Sequence, residues 1–319
     1  VIRGLSKKTG GQASRPDPVN VSVRQLVALQ EQARALPLKP GRIRSLSSGG
    51  YVSAFKGRGM EFDEVRPYQP GDDVRCLDWR VTARRGKPHT KLFREERERA
   101  VLLWTDFRAP MFFATRGEFK SVHAARLAAL VAWSALQHGD RLGGLVFNES
   151  RHHELRPLRN SRAVLRVIER LVEYSHYSGA TPSNGVAGES AGHALARLRR
   201  VAHPGSLVVL ISDFRHLDDA ADAHLMQLAR HNEVVLAFVH DALEAALPAA
   251  GRYRIGDGRR DLLVDGGNAG QRADYAAHFA QRRERLEGWS RRFGARLVDC
   301  PTHEEPLAVL QRGFGLRSR

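Results

Sequence analysis

Cysteine is nearly missing from this chain: two residues, Cys76 and Cys300, among 319. They are far apart in sequence, and two thiols alone make neither a disulfide scaffold nor a zinc site. Long hydrophobic runs are missing too. Ala100 to Trp104 and Ser206 to Ser212 are strand-sized, and Val122 to Leu136 is broken by His123 and Arg126, whereas a membrane span needs roughly 20 apolar residues. The opening VIRGLSKKTGGQASRPDP lacks the apolar core of a secretory signal, so residues 1–19 read as a disordered basic lead-in and the expected location is cytoplasmic. Catalytic motifs are equally scarce. The glycine-rich stretch Leu46 to Gly59 lacks the GK[ST] ending with which backbone amides and a lysine hold nucleotide phosphates. The one G-x-S-x-G, Gly188 to Gly192, follows the polar SGATPSNGVA and not an apolar strand, so it is no nucleophile elbow. In a strand, His152 and Glu154 share one face and His153 takes the other, which is not the H-E-x-x-H helix of zinc hydrolases. The expectation is a protein with no catalytic residues and no cofactor.

Positive charge is abundant. The formal net charge is +16, and all but seven of the 51 basic residues are arginine. A field of that sign draws phosphate or an acidic protein surface. No helix-turn-helix, zinc-finger spacing or aromatic RNA-binding signature accompanies it, and the arginines are spread along many helical segments. A protein partner is therefore the favoured reading. A nucleic-acid-binding factor is the alternative, with a hydrolase behind it.

At 42% hydrophobic the chain has ample material for a core. Apolar runs at Val101–Thr105, Arg141–Phe147, Ser206–Ser212, Glu233–His240 and Ala295–Val298 alternate with helical patterns at Glu118–Gln137, Ser161–Tyr174, Ser190–Val201, Ala220–His231 and Gln271–Phe293. Strand and helix in alternation are the mark of an α/β fold, a doubly wound and mostly parallel sheet covered on both faces. His152–Arg156 follows closely enough to be an antiparallel partner strand. Tyr253–Ile255 and Leu262–Val264 flank GDGRR as an inserted hairpin, about residues 250–266, and Glu304–Gln311 reads as a last helix. Ahead of the sheet, Ser22–Leu36 is a short amphipathic helix with Ser22 as its cap. Residues 20–97 thus read as a helix plus a small β-rich module, and 98–319 as the α/β domain.

Within that module, Arg66, Tyr68, Pro70, Gly71, Asp72, Asp73, Arg75, Asp78, Trp79, Ala83 and Arg84 stand in fixed register. Arginine forks dock carboxylates and stack on rings, so the spacing suits an ion-pair network under aromatic cover that locks the module, or a surface for a partner. The run resembles the signature R-x-Y-x-x-G-D-D-x-R-x-x-D-W-x-x-x-A-R of the bacterial family called domain of unknown function fifty-eight. Leu207 to Phe214 and Phe238 to Gly258 resemble later segments of the same family, so the resemblance runs roughly from Tyr51 onward.

That resemblance implies a von Willebrand factor A-like domain, whose ligand site lies at the carboxyl ends of the strands. It also implies a protein-interaction or adaptor role beside a MoxR-type AAA+ ATPase, in the assembly or maturation of another complex. Intact members of that fold hold a magnesium-type ion with D-x-S-x-S, a loop threonine and a later aspartate. Here Asp106 is followed by Arg108 and Pro110 where serines belong, Thr181 is the loop residue and Asp213 the later acid. Arginine has no lone pair for a metal. Those departures predict a degenerate, metal-free site in which Arg108 pairs with both Asp106 and Asp213.

Overall fold

The structure, a computed structural model, describes residues 17–38, 60–70, 72–95, 99–177, 190–247, 251–256 and 261–315. Its contacts divide the chain into two units, Val1–Gly41 with Ala100–Arg319, and Arg42–Arg99. The first helix, α1 (Val23–Gln32), belongs to the larger unit and starts with a capping box in which Ser22 and Gln25 serve each other's backbone amides.

In the smaller unit, β1 (Met60–Pro67) runs up to the Tyr68–Pro70 turn, and a short 3-10 turn at Val74–Cys76 follows. Next come α2 (Trp79–Arg85) and β2 (His89–Glu95), which pairs antiparallel with β1. Asp78 starts α2 because its Oδ1 accepts from the amides of Arg80 and Val81 at 3.0 and 3.1 Å. Such a cap is worth ~1 kcal/mol.

The larger unit continues with β3 (Ala100–Asp106), α3 (Lys120–Gln137), β4 (Arg141–Phe147), β5 (His152–Leu158), α4 (Ser161–Ser175) and α5 (Ala191–Val201). It goes on through β6 (Leu207–Ser212), α6 (Asp219–His231), β7 (Glu233–His240), the one-turn α7 (Ala242–Ala245) and the hairpin β8 (Arg252–Gly256) and β9 (Asp261–Asp265). It closes with α8 (Ala269–Phe293), β10 (Arg296–Pro301) and α9 (Pro306–Gly313). Six strands form one sheet in the order β10-β7-β6-β3-β4-β5, parallel except for β5. This is the expected α/β sheet, and β8–β9 is the expected inserted hairpin, paired antiparallel. The turn of α7 carried no periodic signal.

Every residue of β3 is buried. Val101 and Leu103 face the cluster that holds α3 and α4, while Leu102 and Trp104 face the cluster that holds α5, α6 and α8. A strand clothed on both sides must be apolar at consecutive positions, which is why these strands read as runs and not alternations. Each such side chain contributes about 1.5–3 kcal/mol relative to exposure.

Sequence order grouped α1 with the signature module, but its packing places it with the sheet unit. Leu26 and Leu29 are buried in the α3 cluster, and Trp133 Nε1 and Gln137 Nε2 of α3 donate to the carbonyls of Leu26 and Gln30 at 3.0 and 2.7 Å. Cys300 is buried and Cys76 half-buried, and neither forms a disulfide. No helix among the described residues is long and apolar enough to cross a membrane.

From β3 the chain steps to β4 on one side, then crosses to β6 on the other. The order reverses between β3 and β6. A doubly wound sheet opens its crevice at such a reversal, outside the carboxyl ends of the strands.

Candidate functional site

Asp106 ends β3, and Asp213 directly follows Ser212, the last residue of β6, so the two expected aspartates share the crest of the sheet. Asp106 is saturated. Its Oδ1 accepts from the Arg108 amide at 3.0 Å and Arg108 Nε at 3.0 Å, while its Oδ2 accepts from Arg108 Nη2 at 2.7 Å and Ser212 Oγ at 2.7 Å. Arg108 lies against the Phe147 ring, 5.7 Å from its centroid, and donates through Nη2 to the Arg215 carbonyl at 3.0 Å. Burial works against its charge, but Asp106, together with Asp213 and Glu149, outweighs burial and holds the guanidinium more firmly protonated than usual.

Asp213 does not take the partner expected of it. Its Oδ2 accepts from Lys120 Nζ at 2.7 Å, and Arg215 Nε lies 3.5 Å away. The expected link from Arg108 to Asp106 is present, and Asp213 is served by Lys120 instead. The Nε–Nη2 edge of Arg108 is engaged by Asp106 and the Arg215 carbonyl. Lys120 is fully buried, and its ammonium also donates to Glu244 Oε1 at 2.8 Å, an oxygen that Arg215 Nη2 shares at 2.7 Å. Burial pushes the Asp213 carboxyl up, but the neighbouring Lys120 and Arg215 more than offset it and hold it at about 2.

Lys120 is the first residue of α3, where the helix dipole is positive and no side chain caps the preceding residue. A lysine there, with no access to water, is tolerated only because two carboxylates meet it. Glu244 comes from α7, whose capping box joins Asp241 and Glu244. Asp241, after β7, accepts from the Thr115 hydroxyl at 2.5 Å, the Thr115 amide at 2.9 Å and Thr302 Oγ1 at 3.2 Å. The β6–α6 loop is strained where it meets this cluster, with Phe214 and His216 in the left-handed region at φ 52° and 51°. Such a conformation costs on the order of 1–3 kcal/mol per residue. Ser212 Oγ, which accepts from the Phe214 amide at 2.8 Å, and the Arg108–Arg215 bond hold the loop in place.

A divalent ion at this crest would need an oxygen shell. Asp106 and Asp213 already carry a guanidinium and an ammonium, and no group of three or more His, Cys, Asp or Glu side chains suited to a metal occurs among the described residues. The donor set does not fit the ion that the resemblance implies. Thr181 lies outside the described residues. His152 and His153 lie on β5, which ends the sheet; His153 Nδ1 shares a hydrogen bond with Tyr174 Oη at 2.7 Å.

In the signature module, Arg66 Nη2 meets Asp72 Oδ1 at 2.7 Å, and Asp72 Oδ2 accepts from the Gln69 amide at 2.9 Å. Asp73 Oδ1 accepts from the Arg75 amide at 2.9 Å, and Lys91 Nζ approaches Asp78 Oδ2 at 3.6 Å. The Tyr68 amide donates to the Pro88 carbonyl at 2.9 Å, and Gly71 lies outside the described residues. These bonds are turns and caps, not one shared network. The side chains of Arg75 and Arg84 make no ion pair among the described residues. Trp79 has no ring or cation contact among the described residues: it is 71% exposed, and Val74 is 62% exposed.

The family model described as "Protein of unknown function DUF58" matches residues 64–285. Two mycobacterial relatives, the uncharacterized proteins Rv1480 of Mycobacterium tuberculosis and Mb1516 of Mycobacterium bovis, are each 30% identical over 275 residues, or 85% of this chain and 84% of the relative. Among solved structures, the conserved hypothetical protein BatB from Bacteroides thetaiotaomicron covers 67% of this chain and 95% of its own, at 16% identity and a TM-score of 0.42.

Proposed function

We propose, for a chain that belongs to the family described as "Protein of unknown function DUF58", a non-enzymatic role as a protein-interaction module. Its sheet is von Willebrand factor A-like, with the adhesion-site ion replaced by Lys120 and Arg108, and its partner is a MoxR-type AAA+ ATPase acting in assembly or maturation of another complex. The observation that carries this reading is the exposure of Trp79 at the head of α2 and of Val74, five residues earlier. Tryptophan and arginine are the residues most enriched at binding hot spots. Here Arg75 neighbours Val74 and Arg80 follows Trp79 in sequence.

Trp79 has a useful property as a reporter. The chain has four tryptophans, and Trp104, Trp133 and Trp289 are buried, so quenching by iodide reports on Trp79 alone. Adding a MoxR-type ATPase should shield it. Trp79→Ala should leave the melting temperature almost unmoved and weaken the complex by about 30-fold or more, the loss of a hot spot worth ~2 kcal/mol. A complex of unchanged affinity would remove the module from the interface.

The metal-free reading has its own test. Millimolar magnesium or manganese should not shift the melting temperature of the wild-type chain. A saturable rise that Asp213→Asn abolishes would show that an ion displaces the lysine.

A further inference from the structure

We infer that the crest also carries a carboxylate-binding site built from Arg282 and Arg215, with Tyr275 at its side. The site is separate from Trp79 and does not depend on the role proposed for the signature module. Tyr275, Phe279 and Arg282 stand at i, i+4 and i+7 on α8 and so share one face of the helix. The Arg282 guanidinium lies over the rings of Phe238 and Phe279, 5.7 and 5.5 Å from their centroids.

Its polar contacts are few. Nη1 reaches the Asp213 carbonyl at 3.4 Å, and among the described residues no carboxylate pairs with it. A guanidinium has five N–H donors, and this one is half-buried against aromatic faces that accept none of them in the plane of the fork. Burial pushes its pKa down, and the neighbouring Arg215 pushes the same way. The Tyr275 hydroxyl has no hydrogen-bond partner among the described residues; burial first, then Glu244, makes it harder to ionise, so it remains a donor.

Charge selects the ligand. The cations here are Lys120, Arg215 and Arg282, and the carboxylates that face them are Asp213 and Glu244. Asp241 turns to Thr115 and Thr302 instead. Arg282 is the cation of the three with no carboxylate partner among the described residues, and a planar monoanion satisfies it. A carboxylate lies flat against an arginine fork and takes two parallel bonds, whereas a dianionic phosphate would be repelled by Glu244. The carboxylate has two possible sources, an acidic side chain of a protein or a small free carboxylic acid.

The test follows the arginine Nε–Hε resonances of the nitrogen-15-labelled full chain at constant ionic strength. Three probes are titrated: acetate, a capped pentapeptide with one central glutamate, and inorganic phosphate. The expected result is a saturable shift of an arginine resonance with millimolar acetate. A lower dissociation constant for the peptide assigns the site to a protein side chain, and equal or weaker peptide binding assigns it to a free acid. Arg282→Gln should weaken binding about 10-fold or more, and Tyr275→Phe, which keeps the ring, should weaken it several-fold. No saturable shift in the wild-type chain, phosphate binding tighter than both carboxylates, or undiminished binding by both folded variants overturns the assignment. The signature module takes no part in this measurement, so failure here leaves the Trp79 reading standing.

Discussion

Replacing Lys120 with methionine should destabilise the sheet unit by about 3–5 kcal/mol, the cost of leaving buried carboxylates without their cation. Methionine matches the length of the aliphatic stem, so packing changes little and the loss reads the charge. Asp213 and Glu244 are both buried, and in the variant Arg215, with its side chain 39% exposed, is the one ion-pair partner left to them among the described residues. Urea unfolding at pH 7 should show the loss as a fall in midpoint at constant m-value.

The triple variant Lys120→Met, Asp213→Asn, Glu244→Gln should recover much of the lost stability, since neutral groups of similar shape remove the uncompensated charge. Acid gives a second signature. In the wild type the Asp213 carboxyl titrates at about 2, below its unfolded value near 4. Its contribution, of order 2 kcal/mol, is full above pH ~4 and is lost as pH falls through about 2. Without Lys120 the folded-state value rises, so acid should cost the variant less than it costs the wild type. A loss below ~1 kcal/mol at pH 7, or parallel acid profiles, would mean that the Lys120 contacts contribute little net free energy.

Much of the fold was legible because the central strands are clothed on both faces. Consecutive apolar residues at Val101–Thr105 and Ser206–Ser212 mark strands at the middle of a covered sheet, and the helical patterns between them imply the parallel crossovers. Asp106 and Asp213 were placed at one crest by family resemblance, and the order of β3 and β6 brings them there. Lys120 was hidden. In sequence it is one polar residue ahead of a largely apolar helix, and its carboxylates lie 93 and 124 positions away. Arg282 was hidden for the opposite reason, since α8 also carries Arg272, Arg283, Arg285, Arg291 and Arg292. Composition cannot separate an arginine without a carboxylate from neighbours such as Arg283, which pairs with Asp299 at 2.8 Å.

The signature misled in one respect. Interleaved charge and aromatic residues suggested rings lying over ion pairs, but α2 has only seven residues. Trp79 is the first of them and projects from the two-turn helix, with no ring partner among the described residues. The bonds of Asp72, Asp73 and Asp78 to nearby backbone amides are local chemistry that short spacing can encode. Exposure of a large ring is a tertiary property, and the spacing did not encode it.

Gly144→Ala is expected to cost on the order of 3–5 kcal/mol, combining backbone strain with overpacking, and so to rival the loss of Lys120. Gly144 lies on β4 opposite Leu103 of β3, at φ +147°. A Cβ there would come within 2.0 Å of the Leu103 carbonyl oxygen and 2.7 Å of its amide nitrogen, both backbone atoms of the central strand that cannot swing aside. Relief requires β4 to draw away from β3, and Phe147, whose ring carries the Arg108 guanidinium, lies three residues further along the same strand, opposite Asp106. Gly294, which ends α8 at φ +71°, is the control, because an added Cβ meets nothing within 4 Å. Gly294→Ala should cost only ~1 kcal/mol, the penalty of the left-handed region alone. Urea unfolding of the two variants separates conformation from contact. Equal losses would show that the backbone angle alone selects glycine at 144, and that close approach of β4 to Leu103 places no further demand on the strand that supports the crest.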